Sequence, residues 1–296
     1  MCIRDRPGAG SDLASLSTRA ERDGDEWVIS GQKVWNSGAQ SADYGILLAR
    51  TDFAAAKHQG ISFFLLPMRQ SAVEVRPLHQ MNGHSSFNEV FLNEARLPHE
   101  NLIASEGEGW RVALTTLAHE RSAVATPRPK FPSSGSPLVQ AAKAEAEEYF
   151  ATYSWYPQRA GRPRLVGSQA RLLGKSQIPR IRQLAAGIEE LQRTSRWTTQ
   201  RAAAARSAGR TPGPEGSVAK LNMSITARKS AAAHSAILGT AGVLSGSSVS
   251  PHELLAEVLI STPAQSIAGG TDEIQKNILA ERALGLPKEP PPQVKE

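Results

Sequence analysis

Short apolar segments dominate residues 26–104 of the chain. Each is rich in β-branched or aromatic residues and is bounded by Gly, Asp, Asn or Pro, a pattern typical of strands. The predicted strands cover 26–30, 31–35, 44–50, 60–66, 73–76 and 88–92. Asp23-Gly24, just before the first of them, suits a two-residue hairpin turn. This region is therefore predicted to be an all-β domain.

Beyond residue 110 the apolar positions recur at the spacing of an α-helix. A first helix is predicted from near Trp110 to before Pro127, and later ones at 138–153, 177–208, 215–244, 251–262 and 271–284. The stretches 127–137 and 157–163 carry helix breakers and are predicted to be irregular. Thr271 is a good N-cap for the last helix, and Gly285 occupies its C′ position. Strands followed by helices, without alternation, argue against a doubly wound sheet.

Composition narrows the function classes. No apolar run approaches the ~20 residues of a membrane-spanning helix, so an integral membrane protein is not expected. The single cysteine, Cys2, excludes an intramolecular disulfide framework and points to a reducing compartment, so a cytoplasmic location is expected. The net charge of +6 is spread along the 296 residues, which favours anionic small molecules over nucleic acid. The seven histidines show no metal-binding spacing, so no metal site is predicted.

The sequence at the two ends of the chain predicts features that differ from those of the two domains. The charged first residues lack the apolar region of a signal peptide. The tight loop at 7–12 normally follows an element that carries it, yet only residues 1–6 precede it. We therefore expect the chain to be a fragment with a non-native leader at 1–6, and a disordered tail at 287–296.

Two segments of the β-region carry candidate chemistry. The glycine-rich loop that contains Ser11 could cradle an anion through backbone N–H groups, or it could be a plain turn. Trp35 could pack against a planar cofactor whose polar edge meets Asn36 and Ser37. The alternative for Trp35 is a core tryptophan at the end of a strand.

Two further candidates lie in the helical region. Gly269 and Gly270 precede a helix N-terminus, where free N–H groups would face a ligand oxygen. The alternative is a capped helix after a flexible turn. Glu120 and Arg121 lie within the first, apolar helix; being adjacent, they do not share a helix face, and such a pair is usually solvated.

Together these segments resemble the acyl-CoA dehydrogenase family. Four motifs in the family's order carry the resemblance: the loop at 7–12, the strand Gly-Gln-Lys-Val-Trp-Asn-Ser at 31–37, the turn Gly-Glu-Gly-Trp at 107–110 and the closing Gly-Thr-Asp-Glu-Ile-Gln signature within 267–278. The resemblance covers roughly residues 7–126 and 169–286. It implies a role in lipid metabolism.

The resemblance implies a multidomain fold of α and β parts. A middle antiparallel β-domain, 7–105, would precede a C-terminal four-helix-bundle domain, 106–286, with an insertion at about 127–168. FAD would be held between these two domains, and the family's N-terminal helical domain would be absent.

Functional residues follow from the motifs that match. The implied FAD contacts are Trp35, Asn36, Ser37, Ser11, Thr271 and Glu273, and the implied acyl-CoA contacts are Ser11, Arg121 and Gly270. The implied partners are the acyl-CoA substrate, electron-transfer flavoprotein as electron acceptor, and further subunits in a homotetramer or heterotetramer. Neither nucleic acid nor a membrane is an expected partner.

The family's reaction needs a carboxylate that removes the α-proton of a thioester while the β-hydrogen leaves as hydride to the flavin. Many members carry this base as a Glu immediately before Gly-Thr in the closing signature, where this chain has Gly269. A minority, including the isovaleryl-CoA and long-chain types, carry it on the first helix of the C-terminal domain, before an Arg. That position matches Glu120, which the resemblance therefore assigns as the base, with Asp272 as the alternative if Glu120 is dispensable.

Some family features are missing. The Arg-x-x-Phe-Gly segment has no clear counterpart, and Ala236-Ile-Leu-Gly-Thr240 replaces Gln-x-x-Gly-Gly, which removes one cofactor contact from a partner subunit. Two other functions therefore stay open: a non-catalytic subunit that completes a partner's FAD site, and an acyl-CoA-binding scaffold without redox activity. Gly269 favours the first of these and Glu120 opposes it.

Overall fold

The computed structural model describes residues 9–123, 136–144, 161–210, 213–243 and 251–288. The predicted leader at 1–6 lies outside the described residues, as do most of the expected insertion at 127–168 and most of the tail at 287–296. The chain divides into two compact units, Met1–Thr126 and Pro127–Glu296. Each unit has a hydrophobic core of its own.

The described part of the first unit contains one seven-stranded sheet. Its strands are β1 Arg19–Asp23, β2 Glu26–Ser37, β3 Tyr44–Arg50, β4 Ile61–Pro67, β5 Val73–Leu78, β6 Phe87–Pro98 and β7 Leu102–Ile103. They lie in the order β5-β6-β2-β1-β3-β4-β7, and neighbours are antiparallel except β1 and β3. The all-β prediction is confirmed. The predicted segments 26–30 and 31–35 form one continuous strand, and the hairpin expected near Gly24 joins β1 to β2.

The first helix, α1 Gly109–Ala123, packs on this sheet. Ala113 is buried, and Trp110 and Leu117 are partly buried, in a cluster that includes Ile61 and Phe63 of β4. A Cβ on Gly109 would lie 2.4 Å from the carbonyl carbon of residue 62, so the close approach of helix to strand requires glycine. The sequence assigned α1 to the helical domain, whereas the structure packs it with the sheet.

The second unit is helical. It contains α2 Pro163–Leu172, α3 Pro179–Ser207, α4 Glu215–Leu238, α5 Pro251–Ser261 and α6 Asp272–Arg282, with a further helical stretch at 137–144 and 3₁₀ turns at Gly239–Val243 and Thr262–Ser266. The helices predicted at 177–208, 215–244, 251–262 and 271–284 are confirmed within a few residues. The sequence predicts an irregular stretch at 157–163, whereas α2 begins at Pro163, because proline is tolerated in the first turn of a helix.

The core of the second unit lies between α2, α3 and α4. Val166, Ile181, Ile188 and Ile237 are its largest buried apolar side chains. No helix among the described residues is long and apolar enough to cross a membrane.

Candidate functional site

The loop that contains Ser11 is held against the sheet by charged side chains. The Lys57 ammonium lies 2.6 Å from an Asp12 carboxylate oxygen, and this hydrogen bond lowers the pKa of Asp12 below its usual value. The buried Arg50 guanidinium donates to the carbonyl of Ala14 at 2.6 Å. Ser11 itself is exposed, so its hydroxyl is available on a loop whose far side is tied down.

Trp35 is not a core tryptophan. It lies in an irregularity of β2, where the register with β6 shifts between Lys33 and Asn36, and its φ of +64° is in the left-handed region. A non-glycine residue there costs about 1–3 kcal/mol, and such strain is concentrated at functional positions. Trp35 is 44% exposed, and its ring packs edge-on against Phe87, with ring centroids 5.6 Å apart. The irregularity therefore presents an open aromatic face.

Asn36, in contrast, lies inside the sheet. Its Nδ2 donates to the carbonyl of Asn88 at 3.4 Å, and Asn88 Nδ2 donates to the carbonyl of Asn36 at 3.1 Å and to Gln40 Oε1 at 2.6 Å. Asn36 Oδ1 is buried and accepts no hydrogen bond from the described residues. Ser37 is exposed, as Trp35 is. The structure thus places Trp35 and Ser37 at the surface and Asn36 where it joins β2 to β6.

Glu120 and Arg121 belong to α1 by their backbone, and their side chains lie outside the described residues. Position 120 follows Leu117 by three residues and Ala113 by seven. Positions with this spacing share one stripe of an α-helix. Position 120 therefore falls on the same helical stripe as Ala113 and Leu117, two residues that pack on the sheet.

The Gly269-Gly270 loop has a defined conformation. The two glycines have φ of +67° and +87°, values that favour glycine. Gln275 Nε2 donates to the carbonyl of Gly269 at 3.1 Å, and a Cβ on Gly270 would lie 2.6 Å from that nitrogen. Thr271 Oγ1 accepts from the main-chain nitrogen of Ile274 at 3.3 Å, which confirms the predicted N-cap. The N–H groups of the first turn of α6 have no partner within the helix.

Asp272, the first residue of α6, is held by three donors from α4. Its Oδ1 accepts from Lys220 Nζ at 2.9 Å, and its Oδ2 accepts from Ser224 Oγ at 2.8 Å and Arg228 Nη1 at 2.7 Å. Burial alone would raise the pKa of Asp272, but the hydrogen bonds from Arg228, Lys220 and Ser224 outweigh it and hold the pKa well below its usual value. A carboxylate in this state is a poor proton acceptor, which argues against Asp272 as the alternative base.

The sequence did not identify the three residues of α4 that hold Asp272. A signal was present, since Lys220, Ser224 and Arg228 recur every four residues along a helix rich in small apolar residues. Glu273, next to Asp272, is exposed.

The residues present fit a flavin and a thioester. The open indole of Trp35 with the hydroxyl of Ser37 suits a planar ring with a polar edge. In the second unit, the glycine loop at a helix N-terminus suits an anionic or strongly polarised oxygen. Among the described residues, no group of three or more His, Cys, Asp or Glu side chains is placed to hold a metal ion.

Two family models match the chain. Residues 5–95 match the acyl-CoA dehydrogenase middle domain, and residues 170–284 match the acyl-CoA dehydrogenase C-terminal domain. The chain is 36% identical over 282 residues to acyl-CoA dehydrogenase FadE34 of Mycobacterium tuberculosis, covering 95% of this chain and 34% of the relative. It is 35% identical to acyl-CoA dehydrogenase IpdE1 of the same organism, covering 96% of this chain and 66% of the relative. The chain thus spans about a third and just under two thirds of these relatives.

The fold has counterparts among solved structures. The Tcur3481-Tcur3483 steroid ACAD is 26% identical, with a TM-score of 0.75, and the match covers 97% of this chain and 67% of that one. The order of the two matched domains agrees with the order of the sheet and helical units described above. The chain belongs to the acyl-CoA dehydrogenase family of flavoprotein oxidoreductases.

Proposed function

We propose that the protein is an FAD-dependent acyl-CoA dehydrogenase in which Glu120 removes the α-proton of a CoA thioester. One observation carries this assignment: the closing loop offers main-chain donors, but neither position 269 nor Asp272 offers a free carboxylate. Gly269 has no side chain, and the Asp272 carboxylate is bound by three donors. We therefore assign the base to another element, at position 120 on the stripe of α1 that contains Ala113 and Leu117.

Each unit would supply cofactor contacts of its own. In the first unit Trp35 and Ser37 would contact the flavin, and in the second unit Thr271 and Glu273 would contact FAD. FAD, when bound, supplies the acceptor for the β-hydrogen as hydride. The left-handed backbone of Trp35 supports this role, because it keeps the indole at the surface instead of in the core.

The thioester would meet three further residues: Ser11, Arg121 and Gly270. Removal of the α-proton places negative charge on the thioester oxygen, and main-chain N–H donors at the start of α6 would stabilise that charge. The positive end of the helix dipole lies at the same place. A carboxylate from which a bound acyl chain excludes water is a stronger base than one in water.

The substrate and partners extend the same proposal. The similar solved structure, Tcur3481-Tcur3483, is a steroid ACAD, so the first assays should compare a polycyclic thioester with a straight-chain one. Electron-transfer flavoprotein is the proposed electron acceptor. A tetramer of identical or different subunits is the proposed assembly.

Gly269 favours a second candidate function, a subunit that completes the FAD site of a catalytic partner without acting as the base. Absorbance spectra separate the two functions. If the protein is the dehydrogenase, it should bind flavin, and an acyl-CoA should bleach the flavin absorbance. The Glu120→Gln variant should then keep the flavin and lose the bleaching. Glu108→Gln is the matched control, since the Glu108 side chain is 43% exposed and forms an ion pair with Arg111 near the start of α1. A flavin that acyl-CoA does not bleach would favour the second function, and ligand binding without flavin would favour a scaffold.

A further inference from the structure

Three side chains from one stripe of α4 converge on a single carboxylate. Lys220, Ser224 and Arg228 are four residues apart, so they follow one another along the same face of the helix. All three donate to Asp272 at 2.7–2.9 Å. The side chains of Lys220 and Asp272 are only 9% and 5% exposed, so this ion pair is buried.

The same stripe also holds the chain on the other side of the loop. Ser266, which ends the 3₁₀ turn before the loop, has its Oγ 2.9 Å from Ser224 Oγ and also accepts from Arg228 Nη1. Residues 267–271 are therefore bracketed by two attachments, Ser266 upstream and Asp272 downstream. Both attachments are to α4.

Between these attachments the loop has features of a ligand site. Gly269 is exposed, and no atom lies within 4 Å of the position of a Cβ there. Gln275 is 1% exposed and donates to the carbonyl of Gly269, while its Oε1 accepts no hydrogen bond from the described residues. A buried acceptor left open beside an accessible backbone indicates that a donor from a ligand or water completes the site.

Stability alone is a weak reason for such a network. A buried ion pair often contributes no more to folding than apolar side chains of the same volume. What the network supplies is geometry, because a carboxylate with three donors permits few orientations of the first turn of α6.

We propose that Asp272 is a positioning residue, which with Lys220, Ser224, Arg228 and Ser266 fixes the backbone of residues 267–271. The fixed backbone aims its N–H groups at the oxygen of the bound thioester. This role rests on the proposed dehydrogenase function, since it assigns the purpose of the loop from that reaction.

Two variants test the positioning role, one that disrupts the whole network and one that removes a single contact. Asp272→Asn removes the charge at the centre of the network, and Ser266→Ala removes only the upstream attachment. Glu189→Gln is the control, because the Glu189–Arg193 pair is exposed and lies on α3. Each variant is measured as the full chain for amide hydrogen exchange, flavin content, kcat and KM.

The loop amides of Asp272→Asn should exchange at least about tenfold faster than in the wild type, with α3 unchanged, because local opening is set by local contacts. Ser266→Ala should show a smaller increase. A loop displaced by about 1 Å can lower kcat by about 100-fold, so kcat should fall with flavin content unchanged and KM within about threefold. Glu189→Gln should match the wild type in every measurement.

Two results would overturn the role. One is unchanged loop exchange in both network variants. The other is a loss of kcat that only follows the loss of flavin or of folded protein. If Asp272→Asn does not fold, Ser266→Ala decides the question by the same criteria. A wild type without activity would refute the proposed function, and the exchange measurements would still decide whether the network fixes the loop.

Discussion

The contact between Gly109 and β4 yields a prediction whose size follows from the structure. Gly109 begins α1, the helix that carries Glu120, and its Cα faces the backbone of β4. A Cβ built there would lie 2.4 Å from the carbonyl carbon and 2.6 Å from the Cα of Ser62. Ordinary contacts begin near 3.4 Å, so Gly109→Ala must move α1 away from the strand by about 1 Å.

Moving α1 away from β4 lowers the free energy of unfolding by more than alanine, as a better helix former than glycine, adds to it. Overpacking of this kind costs about 1–3 kcal/mol. Gly187, in the interior of α3, offers the matched control, because no atom lies within 4 Å of its Cβ position. Gly187→Ala should stabilise the protein by about 0.5–1 kcal/mol, since alanine loses less backbone entropy than glycine in a helix. The same substitution should therefore have opposite signs at the two positions.

Scanning calorimetry measures both effects. For units of this size each kcal/mol moves Tm by roughly 2–4 °C, so Gly109→Ala should lower Tm by about 2–12 °C. Gly187→Ala should raise it by about 1–4 °C. Equal shifts in the same direction, or no shift for Gly109→Ala, would refute the close helix–strand approach. A displaced α1 should also reduce kcat, by up to about 100-fold for a movement of 1 Å.

Three further predictions concern single side chains. The pKa of Asp272 is lower in the folded protein than in the unfolded chain, where it is about 3.9. The ionised carboxylate therefore stabilises the fold fully above that pH, and this stabilisation is lost as the pH falls through the folded pKa. Urea unfolding should show the free energy of unfolding declining below about pH 4, and declining less steeply in Asp272→Asn. Thr271→Ala should cost about 0.5–2 kcal/mol in the same assay, and Thr271→Gly less, because the N-cap acceptor is lost. Asn36→Leu should change stability by less than about 1 kcal/mol, since it also removes an unpartnered oxygen, whereas Asn88→Leu, which removes two donated hydrogen bonds, should cost about 1–3 kcal/mol.

The strands that could be predicted are those whose own residues favour burial. The predicted segments 44–50 and 60–66 correspond to β3 and β4, in which most residues are apolar and buried. Strand β1, Arg-Ala-Glu-Arg-Asp, has one buried residue and carries no such pattern. It forms because the turn that follows it brings every one of its residues opposite the first five residues of β2. The composition of β1 itself does not predict this pairing.

In the candidate site too, the features that the sequence predicts are those set by neighbouring residues, and the others depend on residues distant in the chain. The cap by Thr271 and the need for glycine at 270 are local, so residues within a few positions predict them. The partners of Asp272 are 44–52 residues upstream, and they meet it only because α4 packs against α6. The left-handed backbone of Trp35 likewise depends on the register of β2 with β6, which the motif at 31–37 does not encode.

The central claim is that Glu120 is the base, and its most direct test is a single-turnover mixing experiment with an acyl-CoA. The flavin absorbance of the wild type and of Glu120→Gln is followed over time at equal flavin content. Loss of a positioned general base typically costs about 10²–10⁴-fold, so bleaching in Glu120→Gln should be slowed at least about 100-fold. Bleaching within about tenfold of the wild-type rate would contradict the assignment.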